Sequence, residues 1–183
     1  MPVVIALLRS VNVGGRNKMR MAALGELCVS LRLRNARTYL QSGNVVFRTP
    51  ERNLAALARR IEQAIERKFA VRTDVILRTT AELKDVVARS PFASRGGIEP
   101  SKLLVTFLAG APAAEARAKL LALPPAPEEV HLAGRELYTY FPNGMARPTI
   151  SWPRVERTLA VPMTGRNWNT VVKLFEIAES QEA

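Results

Sequence analysis

A chain of 183 residues with 48% hydrophobic content can bury a core without disulfides or a structural metal. Its single Cys28 and single His131 exclude an intramolecular disulfide, a cysteine metal cluster and multi-histidine metal chemistry. The net charge of +11 is uneven: residues 1–100 hold 18 Lys and Arg against 8 Asp and Glu, whereas residues 101–183 hold 9 against 8.

Such an imbalance points to an acidic or phosphorylated partner on one side of the molecule. A preference for arginine in the host is the competing explanation, since 21 of the 27 cations are Arg. It accounts less easily for the single carboxylate, Glu26, among the first 48 residues. No apolar run approaches the roughly 20 residues that span a bilayer. The start MPVVIALLRSVNV lacks the features of a secretory signal, so a cytoplasmic protein without a membrane partner is expected.

In chain order, VVIALLR (3–9) reads as a strand apolar on both faces. A helix is expected over 19–33, with Met21, Leu24, Leu27, Cys28 and Leu31 on one side and Cys28 a buried structural thiol. ARTYLQ and NVVFRT flank Ser42-Gly43, which predicts a tight hairpin pairing Gln41 with Asn44, Leu40 with Val45, Tyr39 with Val46 and Thr38 with Phe47. Leu40, Val45, Thr38 and Phe47 would face the core, and Arg37, Tyr39, Gln41, Asn44, Val46 and Arg48 a largely polar side. Thr49-Pro50-Glu51 predicts the start of a helix with its stripe at Leu54, Leu57, Ile61, Ile65 and Phe69. The strand DVILRT follows, and Thr79-Thr80-Ala81-Glu82 reads as a capping box opening a short helix.

Beyond the loop PFASRGGIEPS, the order recurs without the letters. KLLVTFLA is a strand, PAAEARAKLLAL a weak helix, and EEVHLA with RELYTYF a hairpin turning at Gly134, His131 lying half-buried in it. SWPRVERTLA and NTVVKLFEIAES are helices. The expected fold is α+β: two ferredoxin-like, split βαβ halves sharing one core, the second partial. Residues 1–90 form the first half with its short helix, 91–101 a linker, and 102–183 the second half with the C-terminal helix.

The stretches ALLRSVNVGGRNKMRM, RTYLQSGNVVF and GRNWNTVVKL, with GRELYTYFPNGMAR and VERTL, closely resemble the bacterial family catalogued as domain of unknown function 1697. That resemblance implies a two-part α+β body and brings no established activity. Ser10 stands where this family more often has glycine, and Ile150-Ser151-Trp152-Pro153 replaces a more polar lead into the helix.

Arg9 ends the first strand, and Asn12, Gly14, Gly15, Arg16, Asn17 and Lys18 follow at the mouth of a helix, the parts of an anion cradle. The competing reading is a plain β-to-α connection with solvated cations. Neither G-K-[ST] nor G-x-G-x-x-G is present, and no cofactor or metal is expected. Arg166, Asn167, Trp168 and Asn169 open the last helix, with Asn167 or Asn169 as its cap and Trp168 either a wall for a ring or a packed anchor. Tyr39, Gln41 and Asn44 share a hairpin face, and Tyr138 and Tyr140 hold comparable places later, which leaves base stacking open beside ordinary cross-strand packing. No paired carboxylates support acid-base chemistry. The leading expectation is a small-molecule binding domain that grips a phosphate- or carboxylate-bearing ligand between the two Arg-Asn clusters. The alternative is a nucleic-acid-binding module using the basic first half.

Overall fold

The computed structural model describes residues 1–123 and 127–183. Val3–Leu8 forms β1, and all six residues are buried, as a strand apolar on both faces requires. The chain continues through α1 (Met21–Ser30), β2 (Arg34–Tyr39), β3 (Asn44–Arg48), α2 (Leu54–Phe69), β4 (Val75–Thr79) and α3 (Thr80–Ala88). Then come β5 (Leu103–Leu108), α4 (Ala114–Leu121), β6 (Glu129–Ala133), β7 (Glu136–Tyr140), α5 (Trp152–Leu159), β8 (Met163–Asn167) and α6 (Trp168–Glu182). The chain divides into two compact units, residues 1–85 with 173–183, and residues 86–172. The division falls inside α3 and again inside α6.

In the first unit the strand order is β2-β3-β1-β4, every ladder antiparallel. β1 and β2 therefore run the same way with β3 between them, which obliges the connection through α1 to cross over a strand. One face of the sheet, with Val4, Ala6, Leu8, Val45, Phe47 and Leu77, packs with Leu24, Leu27 and Cys28 of α1 and Leu57, Ile61 and Ile65 of α2. Each such Leu or Ile contributes about 1.5–3 kcal/mol relative to exposure.

Five local expectations are corrected here. The β2–β3 turn has four residues, 40–43, so Thr38 pairs with Val45 and Tyr39 with Asn44 rather than with Phe47 and Val46. The shift is two residues, which preserves which side chains share a face. Leu40, however, leaves the strand at φ 57° and is 52% exposed. Of the side expected to be polar, Asn44 and Val46 on β3 are buried at 0% exposure, whereas Arg37 and Gln41 are exposed. Asn44 closes the turn itself, its Nδ2 donating to Tyr39 O (2.8 Å) and Ser42 Oγ (3.0 Å). Helix α2 starts later than expected, because Asn53 Oδ1 accepts from Ala56 N at 2.9 Å, while Thr49 Oγ1 accepts only from Glu51 N. Helix α1 is shorter than 19–33, running from the N-cap Arg20 to the C-cap Leu31. The capping box of α3 forms as read, with Thr79 N donating to Glu82 Oε2 (2.8 Å) and Glu82 N to Thr79 Oγ1 (3.2 Å).

The second unit repeats the order as β6-β7-β5-β8. Its fourth strand, β8, is an element the sequence reading lacked, and with it the element order of β1 to β4 recurs in full. MTGRN has no alternating apolar pattern; it is held by antiparallel pairing to β5, from Met163 opposite Leu108 to Asn167 opposite Leu104. The β6–β7 hairpin turns at Gly134 (φ 61°), as expected. His131 is exposed rather than half-buried, with its ring edge-on to Phe92 at 5.3 Å. Among the described residues, no helix is long and apolar enough to cross a membrane.

A candidate anion-binding surface

The segment between β1 and α1 is a small clasped hairpin. Val13 and Arg16 form a bridge, Arg16 N donates to Val13 O at 3.0 Å, and Gly14 and Gly15 at its tip both have positive φ. That backbone needs glycine at small cost. Asn12 fastens the base: its Nδ2 donates to Met19 O (2.9 Å) and Gln41 O (2.7 Å), and its Oδ1 accepts from Met19 N (2.8 Å). Asn17 Nδ2 donates to Ser10 O at 2.9 Å. Asn12 thus brings the loop against the exposed Gln41 at the β2–β3 turn. Gly14 and Gly15 lie on the exposed tip, ahead of the start of α1 at Met21.

Arg9 is engaged with Asp74, its Nη1 donating to Oδ2 at 3.0 Å, and Thr73 Oγ1 donates to Arg9 O at 2.6 Å. Arg48 Nη2 donates to Gln181 O near the end of α6. The other six cations of residues 1–48 are exposed: Arg16, Lys18, Arg20, Arg32, Arg34 and Arg37. Among the described residues none of these six is ion-paired. Arg16 and Lys18 sit on the clasped loop, Arg34 and Arg37 on β2 at the edge of its sheet, and Arg32 just before it. Arg20 is the N-cap of α1, where its side chain makes no capping hydrogen bond and the first turn holds no carboxylate. A cation at the positive end of a helix is unfavourable by about 0.3–1 kcal/mol, so this end is primed for an anion.

In the second unit Arg166 is 6% exposed, its Nη1 donating to Thr164 Oγ1 and Gly165 O, both at 2.8 Å. Burial lowers its pKa to about 10, which leaves it charged at neutral pH. Asn167 caps α6 by accepting from Asn169 N at 3.0 Å, and its Nδ2 donates to Ser101 O at 2.8 Å. Trp168 is half-buried and Asn169 exposed. Tyr138 is buried with its hydroxyl donating to Val86 O at 2.7 Å, and burial raises its pKa. Tyr140 is buried beside Phe92. Neither later tyrosine offers an open ring.

Sequence reading missed Arg78. It is 1% exposed, it pairs with Ile5 of β1, and Arg166 pairs with Val105 at the matching place in the second sheet. The signal available was a cation placed directly after the apolar residues of the strand DVILRT. Among the described residues no group of three or more His, Cys, Asp and Glu is placed to hold a metal ion.

Residues 1–138 match the family described as proteins of unknown function, DUF1697. The chain belongs to that family. The last of the stretches that carry the likeness, GRNWNTVVKL, lies beyond the matched residues. The chain is also similar to the solved structure of the conserved bacterial protein SP0830 from Streptococcus pneumoniae, at 21% identity and TM-score 0.73, over 97% of this chain and 98% of that one. At that identity the likeness shows the fold alone. No curated protein matches the chain.

Proposed function

We propose that this protein binds the phosphate backbone of a nucleic acid along the edge of its first sheet. The carrying observation is six exposed cations, unpaired among the described residues, on the clasped loop, the start of α1 and β2. Arg34 to Arg37 spans about 10 Å of strand, a length over which duplex DNA presents roughly six phosphates. The groups expected to close an anion pocket, Asn12, Asn44 and Arg9, make hydrogen bonds within the protein. That favours an open, extended contact over an enclosed one. The matching strand orders support reading each unit as a split βαβ, ferredoxin-like body.

The test is a filter-binding or fluorescence-polarisation titration with single-stranded and duplex DNA and RNA at several salt concentrations. Contacts by all six cations give a slope of log affinity against log salt near −4 for single strands and −5 for duplex. Arg34→Ala with Arg37→Ala lowers the slope magnitude by about 1.5. No binding at low salt, or an unchanged slope in the double variant, sinks the reading. A second reading is carried by the start of α1, where the N-cap Arg20 makes no side-chain capping hydrogen bond and Lys18 lies two residues ahead of it: a small phosphate- or carboxylate-bearing metabolite seats there. A thermal-shift screen with such metabolites, repeated on Lys18→Ala with Arg20→Ala, tests it; a shift lost in the variant supports it, and no shift in the wild type ends it.

A further inference from the structure

Of the five large hydrophobic side chains exposed among the described residues, two stand at one place: Val13 is 61% exposed and Leu40 52%. Each lies one residue from a partner in the hydrogen bond that joins the two loops, Asn12 Nδ2 to Gln41 O at 2.7 Å. Val13 is bridged to Arg16, which makes their side chains cross-strand neighbours. Lys18 and Arg37 are exposed on the same two segments. A single exposed apolar residue is ordinary. Two that flank one clasp among cations form a mixed surface.

Leu40 is unfavourable there on two counts. Its φ of 57° lies in the left-handed region, which suits glycine or asparagine, and its side chain leaves apolar surface in water. Neither the backbone nor the core gains from a leucine at this position, whereas contact with a partner does. Gln41, next in the chain, is exposed, and among the described residues its side-chain amide makes no hydrogen bond. The matching partner carries negative charge, apolar faces and hydrogen-bonding edges together. Nucleobases on a phosphate backbone supply all three. In a duplex the base faces are stacked away and opening a step costs free energy, but in an unpaired strand they are available. An anionic lipid surface supplies charge and hydrocarbon and leaves the Gln41 amide, beside Leu40, to be desolvated.

We infer that the nucleic acid held at this surface is an unpaired strand, an inference that rests on the phosphate-backbone reading above. Its phosphates lie on Arg16, Lys18 and Arg37, and its bases pack against Val13 and Leu40 and hydrogen-bond the Gln41 amide.

Fluorescence polarisation of the full chain tests it with three probes of about 20 nucleotides, made in whichever of DNA and RNA binds the tighter. They are a mixed-sequence single strand, its duplex, and an abasic strand that keeps the phosphates and lacks the bases. The single strand binds about tenfold more tightly than the abasic strand, and more tightly than the duplex, the reverse of the order that charge density alone gives. Val13→Ser with Leu40→Asn lowers single-strand affinity about tenfold and keeps its salt slope, since no cation is removed. Should that variant unfold, the abasic comparison on the wild type carries the test. Equal binding of the single and abasic strands, tighter binding of the duplex, or wild-type affinity in the double variant overturns the inference and leaves the phosphate reading standing. Failure of all three probes at low salt overturns both. Binding to vesicles of phosphatidylserine and phosphatidylcholine that is lost in the double variant, with single-strand binding kept, assigns Val13 and Leu40 to lipid and overturns the inference as well.

Discussion

Gly43→Ala tests the contact between the β2–β3 turn and the end of β1. Gly43 has φ +77°, and an added Cβ falls 2.8 Å from Leu8 Cβ and 3.4 Å from Val11 Cβ. The left-handed backbone costs an alanine about 1–2 kcal/mol. Overlap in a packed site adds about 1–3 kcal/mol. Neither partner yields easily, since Leu8 N donates to Gly43 O at 2.9 Å and Leu8 is fully buried. The sum is about 3 kcal/mol, which at roughly 2–4 °C per kcal/mol lowers the melting temperature by about 6–12 °C. Gly15→Ala is the control: its φ is +75°, but nothing lies within 4 Å of the added carbon. Only the backbone term applies there, so the drop is about 2–8 °C and smaller than that of Gly43→Ala. Thermal unfolding of both variants followed by circular dichroism decides the matter. Equal drops refute the packing of the turn on β1 and Val11.

Asn12→Ala removes three hydrogen bonds that join the β1–α1 loop to Gln41 and Met19, so the variant loses about 2 kcal/mol and amide exchange speeds up across residues 10–19 and 39–44; unchanged exchange at Met19 contradicts the clasp. Cys28 is buried and its pKa is pushed up to about 11, so a thiol reagent at pH 8 leaves the native protein unmodified and titrates one thiol in denaturant; rapid labelling of the native chain is the contrary result. Burial of Glu128 favours its neutral acid, but hydrogen bonds from Thr149 and from the amides of Glu128 and Ile150 outweigh it and hold the folded pKa below the ordinary 4.5. Its contribution to stability is therefore complete above that value and is lost as pH falls through the folded pKa. The stability gap between wild type and Glu128→Gln accordingly narrows on acidification, and a gap that widens below pH 4.5 rejects the assignment.

Local signals were legible wherever a pattern is settled by neighbours in the chain. The capping box at Thr79 and Glu82, the turn at Gly134 and the stripe of α2 all follow from spacing, because each is closed by groups a few residues apart. The start of α2 was missed because Thr49 and Asn53 are both acceptable caps, and only the placed backbone gives Asn53 the Ala56 amide. The candidate surface was half legible. Excess charge was visible, but which cations are spent, Arg9 on Asp74 and Arg48 on Gln181, depends on partners 65 and 133 residues away.

By itself the sequence determined the alternation of elements, the buried thiol and the surplus of cations in the first half, since composition and short-range periodicity carry all three. Tertiary structure alone decided the strand β8, whose MTGRN acquires its conformation from the β5 ladder and not from its own side chains. It also decided that Gly14 and Gly15 form an exposed turn tip, and that Asn12 brings their loop against Gln41. The physical reason is common to all of these: long-range hydrogen bonds and packing are set by which segments the fold brings together, and no window of neighbouring residues encodes that choice.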